Sequence, residues 1–457
     1  MLTLNNDQQL VKQAIQAMRA RDRLVVSGRA GSGKTYAIAH SVAERKALFL
    51  APTHPARTVL EQELRDKRHR VATIHSAIGW YRYRNENLET VEGYLPAREA
   101  RTRVESAKEG KPDAFSEVDI IIVDEFSMVG SFLFRAVEEY AAEFDLPVVY
   151  SGDRFQLPPV KDHEVIMDQD FETITLDTSV RFPRQSGIFL TGEMLRDWIE
   201  ERPEDELQCL HGGADVQVIP GEEWIASLKN RYEKGDSLLA VTSDNTTLQR
   251  LRRAVRHVNH DGLDEGDLVI SKQTDNLFHN GERFTVDQIE RNMRVLKDVP
   301  SCVDRFRALT LDGVTITFHE TDRIAFVPDS EKIVDKLSLR IRRLHQKGKL
   351  DRKQAVRILD WIEDVNRFEL SALATVHKSQ GRSVDTVYID TNTVLKRPMW
   401  LSPKDHKRLL YTAITRARER VVLYEMSGFC TRGRPASVAA IPSRVPLNQA
   451  EEQKKTA

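Results

Sequence analysis

The sequence predicts an α/β protein with parallel sheets, and three observations carry that reading. Apolar strand-like runs recur along the chain, helix-like segments separate most of them, and a glycine-rich loop follows the first run. The runs are Leu24 to Val26, Ala47 to Leu50, Ile120 to Val123, Val148 to Tyr150, Leu238 to Val241, Thr386 to Ile389 and Val421 to Tyr424. They form two groups, the first ending near residue 175 and the second divided by an insertion.

Leu24-Val25-Val26 reads as a buried parallel strand. Directly after it, Gly28-Arg29-Ala30-Gly31-Ser32-Gly33-Lys34-Thr35 fits G-x-x-x-x-G-K-[ST], and Ala37 to Ala43 is expected to be the following helix. Glycines let backbone N–H groups approach phosphate at a helix N-terminus. Lys34 reaches the β and γ oxygens, and Thr35 offers a hydroxyl to Mg²⁺. Such a loop needs a second carboxylate site, which Ile120 to Val123 followed by Asp124-Glu125 supplies at a strand end. Asp124 is expected to hold the metal and Glu125 to activate water. After the next strand run, Ser151 to Val160 forms a polar loop on the sheet edge where ligand chemistry collects, and Gln156 can reach the γ-phosphate or the attacking water.

From about Gly262 to Asp329 the texture changes to alternating β-like runs (Asp267 to Ile270, Arg283 to Val286, Gly313 to Phe318, Arg323 to Val327), as in a small barrel. Glu331 to Arg357 is polar, basic and helix-like. The stretch from Trp80 to Ser116 mixes Trp80, Tyr81, Tyr83 and Tyr94 with Arg and Lys, and residues 431–457 read as a loose tail.

Composition narrows the class. A chain of 457 residues with 40% apolar residues can build several globular cores. Net charge is −1, from 68 basic against 69 acidic residues, so a nucleic-acid site has to be a local patch. The cysteines Cys209, Cys302 and Cys430 are far apart, which argues against a disulfide framework or zinc site and points to a reducing, cytoplasmic compartment. Residues 1–20 lack a signal-peptide core, and no run approaches 18 apolar residues, so neither export nor membrane spanning is expected.

Eight elements in order resemble superfamily 1 helicases, and within them the 5′-to-3′ RecD/Dda-like branch, superfamily 1B. Leu4 to Gln8 resembles the Q motif, Ala51 to Ala56 motif Ia, and Thr73-Ile74-His75-Ser76 the TIHS element. Asp124 to Met128 is similar to motif II, Gly152 to Val160 to motif III, Leu176 to Phe182 to motif IV, Ala374 to Gly381 to motif V and Leu410 to Arg418 to motif VI. Val241-Thr242-Ser243 departs from the Thr-Asn pair usual at its position.

The resemblance implies two RecA-like lobes, at 1–79 with 117–178 and at 179–258 with 358–430. It also implies a pin insertion at 80–116 and an SH3-like accessory insertion with a basic helical part at 259–357. ATP and Mg²⁺ are the implied cofactors. Gln8 is expected to read adenine, Arg181 and Arg416 from the second lobe to meet the γ-phosphate, and Gln380 and Gly381 to face the nucleotide. Pro52, Thr53, His54 and His75 in the first lobe are expected to line the strand track, with Thr242, Thr375, His377, Lys378 and Ser379 in the second. Asn280 is a further strand contact or a hairpin turn, and Tyr94 is the wedge candidate. Implied partners are single-stranded DNA, forked or overhanging duplexes, and single-strand-binding or replication and recombination proteins, in a bacterial or phage-infected cell. An RNA helicase of the same superfamily and an ATPase accessory subunit stay open as alternatives, as does the oligomeric state, with which a monomer is compatible.

Overall fold

The computed structural model describes residues 4–64, 68–106, 114–159, 162–206, 209–256, 262–275, 277–399, 401–424 and 430–432. Val160, residues 107–113 of the expected pin insertion and the tail beyond 432 lie outside the described residues.

All seven apolar runs are strands, and they divide between two parallel sheets. The first sheet runs Arg70–Thr73, Ala47–Ala51, Ile120–Val123, Val148–Gly152, Arg23–Gly28, Glu172–Leu176. Strand periodicity sends alternate residues to opposite faces, so each run must be apolar throughout to feed two cores. Val25, Leu48, Leu50, Ile121, Val123 and Val148 enter one core, whereas Leu24, Val26, Phe49, Ile120, Ile122 and Val149 enter the other. The second sheet runs Val216–Ile219, Ala417–Tyr424, Val384–Ile389, Leu238–Thr242, Leu373–Thr375, again parallel. The four strands without a predicted run, Arg70–Thr73, Glu172–Leu176, Val216–Ile219 and Leu373–Thr375, are the sheet edges. There one flank is unpaired and polar residues are tolerated.

Between Leu238–Thr242 and Leu373–Thr375 the chain builds an antiparallel sheet ordered Thr321–Pro328, Ala308–Phe318, Arg283–Lys297, Leu268–Ser271, Phe368–Leu370. Phe278, Phe284, Phe318 and Phe368 pack ring against ring beneath it. Two strands run well past the predicted stretches, pairing from Ile289↔Ile316 to Lys297↔Ala308 as a ribbon. Its sequence is half-exposed and charged, which hid it from an apolar-run reading. The far end of the ribbon packs on helices Glu331–Gln346 and Arg352–Glu363 through Leu309, Leu311, Ile341 and Leu359.

Candidate active site

Strand Arg23–Gly28 ends where the glycine loop begins, and helix Lys34–Ser41 starts earlier than expected, directly at Lys34. Gly33 caps it with φ +77, a left-handed conformation open to glycine, so Lys34 and Thr35 occupy the first helical turn. Lys34 Nζ donates to the carbonyls of Gly28 (2.8 Å) and Arg29 (3.1 Å). Burial lowers its pKa, against the pull of Asp153, Glu125 and Asp124.

Asp124 follows the buried strand Ile120–Val123, its N–H donating to the Leu50 carbonyl at 2.8 Å. Desolvation raises its carboxyl well above the usual range and Glu125 adds to this, while Lys34 and a Ser151 hydrogen bond oppose. Glu125 itself is left-handed (φ 52, ψ 49), a costly backbone for a non-glycine residue that turns its side chain into the cleft.

The N–H groups of Val180 and Arg181 both donate to the Gly31 carbonyl, at 2.9 and 3.2 Å. Gly31 has φ +76, and a side chain there would strike Arg181. This corrects the expected carriage of Arg181: its backbone is bonded to the glycine loop of the first sheet, and only at Phe182 does the chain enter the core around the second. Burial lowers the Arg181 pKa, with Arg416 and Arg418 adding to the effect.

Arg416 follows helix Pro403–Ile414 and is 3% exposed. Its Nη2 donates to Gln156 Oε1 (2.9 Å), its Nη1 to the Arg382 carbonyl (3.3 Å) and its Nε to the Thr412 carbonyl (3.1 Å). Around it, Tyr411 donates to Asp153 (2.5 Å), the Leu157 N–H to Thr412 Oγ1 (3.0 Å), and Gln380 Nε2 to the Leu157 carbonyl (2.9 Å). The loop after Val148–Gly152 is thus stitched to the second sheet by buried hydrogen bonds.

Together these groups line a cleft of about 920 Å³, into which Lys34, Thr35, Asp124, Glu125, Gln156, Arg181, Gly381 and Arg416 all project. Sequence reasoning missed Tyr36, His40, Glu63 and Thr415 on the same walls. Tyr36 and His40 show a legible signal, one helical turn apart after Lys34-Thr35. Several expected ligands lie behind the walls instead. Gln8 Oε1 accepts from the Asn5 N–H and its Nε2 donates to the Ser32 carbonyl, fastening helix Asn6–Ala17 to the glycine loop. Arg29 is ion-paired to Glu193 at 2.8 Å, so its side chain and that of Gln380 are engaged away from the cleft.

The expected strand residues form a second region. Thr53 caps helix His54–Glu63. The His54 ring stacks on His279 (5.3 Å, 15°) and its Nε2 lies 3.4 Å from Thr274 Oγ1. Gly281, at φ +86, sits so close to Pro55 that a Cβ would collide with its ring, while the neighbouring Asn280 is exposed. The turn 274–282 of the antiparallel sheet is therefore pressed onto the 53–55 loop. His377 and Lys378 are accessible. Four assignments are corrected. Thr242 and Ser379 are 0% exposed, their hydroxyls donating to the carbonyls of Asp244 and Val376, and Pro52 and Thr375 are also buried, so none of these side chains faces a surface track.

Two family models match the chain, one described as an AAA domain over residues 3–214 and one as a UvrD-like helicase C-terminal domain over residues 370–424. The chain belongs to the superfamily 1B helicases. Among solved structures, one described as "Structural Basis for DNA Unwinding at Forked dsDNA by two coordinating Pif1 helicases" is 17% identical, covers 92% of both chains and has a TM-score of 0.51. Pif1 helicase from Candida albicans is 15% identical over 94% of this chain and 96% of its own, with a TM-score of 0.42. An uncharacterized mimivirus protein, R530 of Acanthamoeba polyphaga mimivirus, is 27% identical over 164 residues. That match spans 32% of this chain and 30% of the viral protein.

In this helicase the insertion after residue 79 begins with the hairpin Tyr81–Arg84 and Thr90–Gly93. Tyr94, the wedge candidate, is corrected. It stands at the hairpin base, its ring against Phe132 (5.3 Å) and its hydroxyl donating to Glu139 (2.8 Å). The exposed rings are Tyr81 and Tyr83, adjacent on one face of the hairpin with centroids 6.1 Å apart. Among the described residues no helix is long and apolar enough to cross a membrane.

Proposed function

We propose that this chain is an ATP-dependent 5′-to-3′ DNA helicase and single-strand translocase. The observation that carries the reading is the Arg416 to Gln156 hydrogen bond, which joins an arginine of the second sheet to the catalytic edge of the first within one phosphate-sized cleft. A site split between two sheets lets the state of a bound phosphate bias their relative position, as coupling of hydrolysis to movement requires.

In this reading residues 1–79 with 117–178 and 179–258 with 358–430 are the two motor lobes, the loop Gly28 to Thr35 holds the triphosphate, and Lys34 exchanges its carbonyl partners for phosphate oxygens. Glu125 accepts a proton from the attacking water, Gln156 orients that water, and Arg181 and Arg416 stabilise charge on the transferring phosphoryl group. The Thr35 hydroxyl and Asp124 carboxylate are hard oxygen donors that suit Mg²⁺, which when bound neutralises phosphate charge. Motion of the lobes is passed to a strand through His54, His75, His377 and Lys378, groups that meet the backbone and tolerate any base. The polarity follows from the branch resemblance, and forked DNA is the substrate of a protein of the same fold.

The test is ATP hydrolysis and unwinding on forked substrates whose loading strand is DNA or RNA of either polarity. Unwinding only from a 5′ DNA overhang is expected. A requirement for a 3′ overhang would overturn the direction, and strand-stimulated hydrolysis without unwinding would leave a translocase.

A further inference from the structure

Glu369 lies on Phe368–Leu370, the strand that closes the antiparallel sheet opposite Leu268–Ser271 and then leads through a turn into Leu373–Thr375 of the second sheet. It is 8% exposed. Its Oε2 accepts from Lys378 Nζ at 2.7 Å and lies 3.6 Å from Arg252 Nη2. Its charge is also felt by Arg382, a buried guanidinium whose pKa burial pulls down to about 10, with Arg283 pulling the same way and Glu369 opposing. One buried carboxylate thus faces four cations, of which Lys378 is the most exposed at 42%.

We infer that Glu369 is a competing counter-ion that holds Lys378 until a strand phosphate takes its place, and so sets the grip of the second lobe on the strand. This rests on the proposed reading of Lys378 as a strand contact. Lysine suits the exchange, because a compact ammonium on a four-carbon stem can swing between two anions without a fixed fork geometry. The exchange is tolerable for the carboxylate, because Arg252 and Arg382 remain beside it when Lys378 leaves, so it is not stranded as an uncompensated buried charge. It also ties grip to the nucleotide cleft. The Arg382 carbonyl accepts from Arg416, so a shift in the balance around Glu369 acts on a residue bonded to the catalytic arginine. Glu369 is a positioning residue, since it touches neither strand nor nucleotide.

The experiment measures affinity of the full chain for a fluorescent oligothymidylate across a salt series, in wild type, Glu369→Gln, Lys378→Gln and the double variant. Glu369→Gln keeps the shape and frees the ammonium. It is expected to bind about three- to tenfold more tightly at low salt and to steepen the log–log salt slope by about 0.7, one added phosphate contact on a single strand. Lys378→Gln is expected to weaken binding and flatten the slope by about the same amount, and in its background the Glu369→Gln gain should vanish. Weaker or unchanged binding by Glu369→Gln overturns the inference, as does a gain that persists without Lys378. If Glu369→Gln does not fold, Lys378→Gln alone decides: the exposed lysine is dispensable for folding, and an unchanged slope rules out its phosphate contact. Failure of the wild type to bind the oligonucleotide at all would instead remove the proposed function.

Discussion

Arg416 donates through Nη2 to Gln156 Oε1 at 2.9 Å, with both side chains almost wholly removed from water. A buried hydrogen bond from a charged group contributes about 1.5–3 kcal/mol, and the same guanidinium serves two carbonyls besides. Lysine cannot reproduce that planar fork. Arg416→Lys is therefore expected to lower strand-stimulated turnover about 10²-fold and Arg416→Ala on the order of 10³-fold, with nucleotide affinity changed much less. Steady-state ATPase rates beside binding of a fluorescent nucleotide check this. A lysine variant with half the native turnover would remove Arg416 from the phosphoryl-stabilising role.

Glu125 is the proposed base, held in a left-handed conformation that costs about 1–3 kcal/mol. Glu125→Gln keeps the size and the hydrogen-bonding oxygen but cannot take up a proton. It should bind nucleotide and strand normally while turnover falls about 10²- to 10⁴-fold. Single-turnover hydrolysis measures the chemical step directly, and a near-native rate there would point to another base.

The sequence made the two parallel sheets legible because their central strands must be apolar on both faces, and Ile120 to Val123 has no other reading beside Asp124-Glu125. It made the cleft legible for the same reason: Lys34, Asp124, Gln156 and Arg416 sit at strand ends or helix starts whose position the sheet fixes. What it hid depends on partners distant in sequence. Gln8 and Arg29 carry polar groups that look free on a one-dimensional chain, yet Ser32 and Glu193 take them up. Thr242 and Ser379 look like surface hydroxyls, but each bonds a nearby carbonyl inside the sheet. The ribbon Arg283–Lys297 reads as a polar stretch because its strand geometry is enforced by pairing with Ala308–Phe318.

The stacked His54 and His279 rings give the contact between the 53–55 loop and the 274–282 turn a pH dependence. Burial, then Arg57, His279 and His75, lower the His54 pKa to about 4, against a weaker pull from Glu282. The folded pKa lies below the ordinary value of about 6.5, so the unfolded chain binds more protons between those limits. The contribution of neutral His54 is thus complete above about pH 6.5 and is lost as the pH falls towards 4. Melting temperature measured across that window should fall less steeply in His54→Phe, which keeps a ring but cannot be protonated. Parallel curves for the two proteins would show that His54 does not drive the effect.

Tyr81 and Tyr83 stand exposed on the hairpin while Tyr94 is committed to Phe132 and Glu139. Base stacking on an aromatic ring is worth about 1–3 kcal/mol. The double replacement Tyr81→Ala with Tyr83→Ala is expected to slow unwinding severalfold and leave single-strand-stimulated ATPase near native. Tyr94→Ala should instead lower the melting temperature. Comparing fork unwinding with ATPase on an oligonucleotide separates the two, and equal losses in both assays would count against a stacking role for the hairpin.

A hairpin can part strands only if it resists being pushed aside, and a two-stranded ribbon is marginal by itself. Here the brace is the helical pair Glu331–Gln346 and Arg352–Glu363. Leu88 in the hairpin turn is 0% exposed within that core, Arg84 pairs with Asp360 (2.5 Å) and Glu363 (2.8 Å), and Arg352 donates to the carbonyls of Arg84 and Asn85. Magnitudes separate these contacts. Deleting a buried leucine side chain costs about 2–5 kcal/mol, whereas ion pairs with a carboxylate as exposed as Asp360 contribute about 0–1 kcal/mol each. Leu88→Ala should therefore free the hairpin more than Arg84→Met does, seen as faster hydrogen exchange confined to residues 81–93, with unwinding reduced and strand-stimulated hydrolysis retained. If Arg84→Met has the larger effect, charge rather than apolar burial fixes the hairpin, and the brace depends on ionic strength.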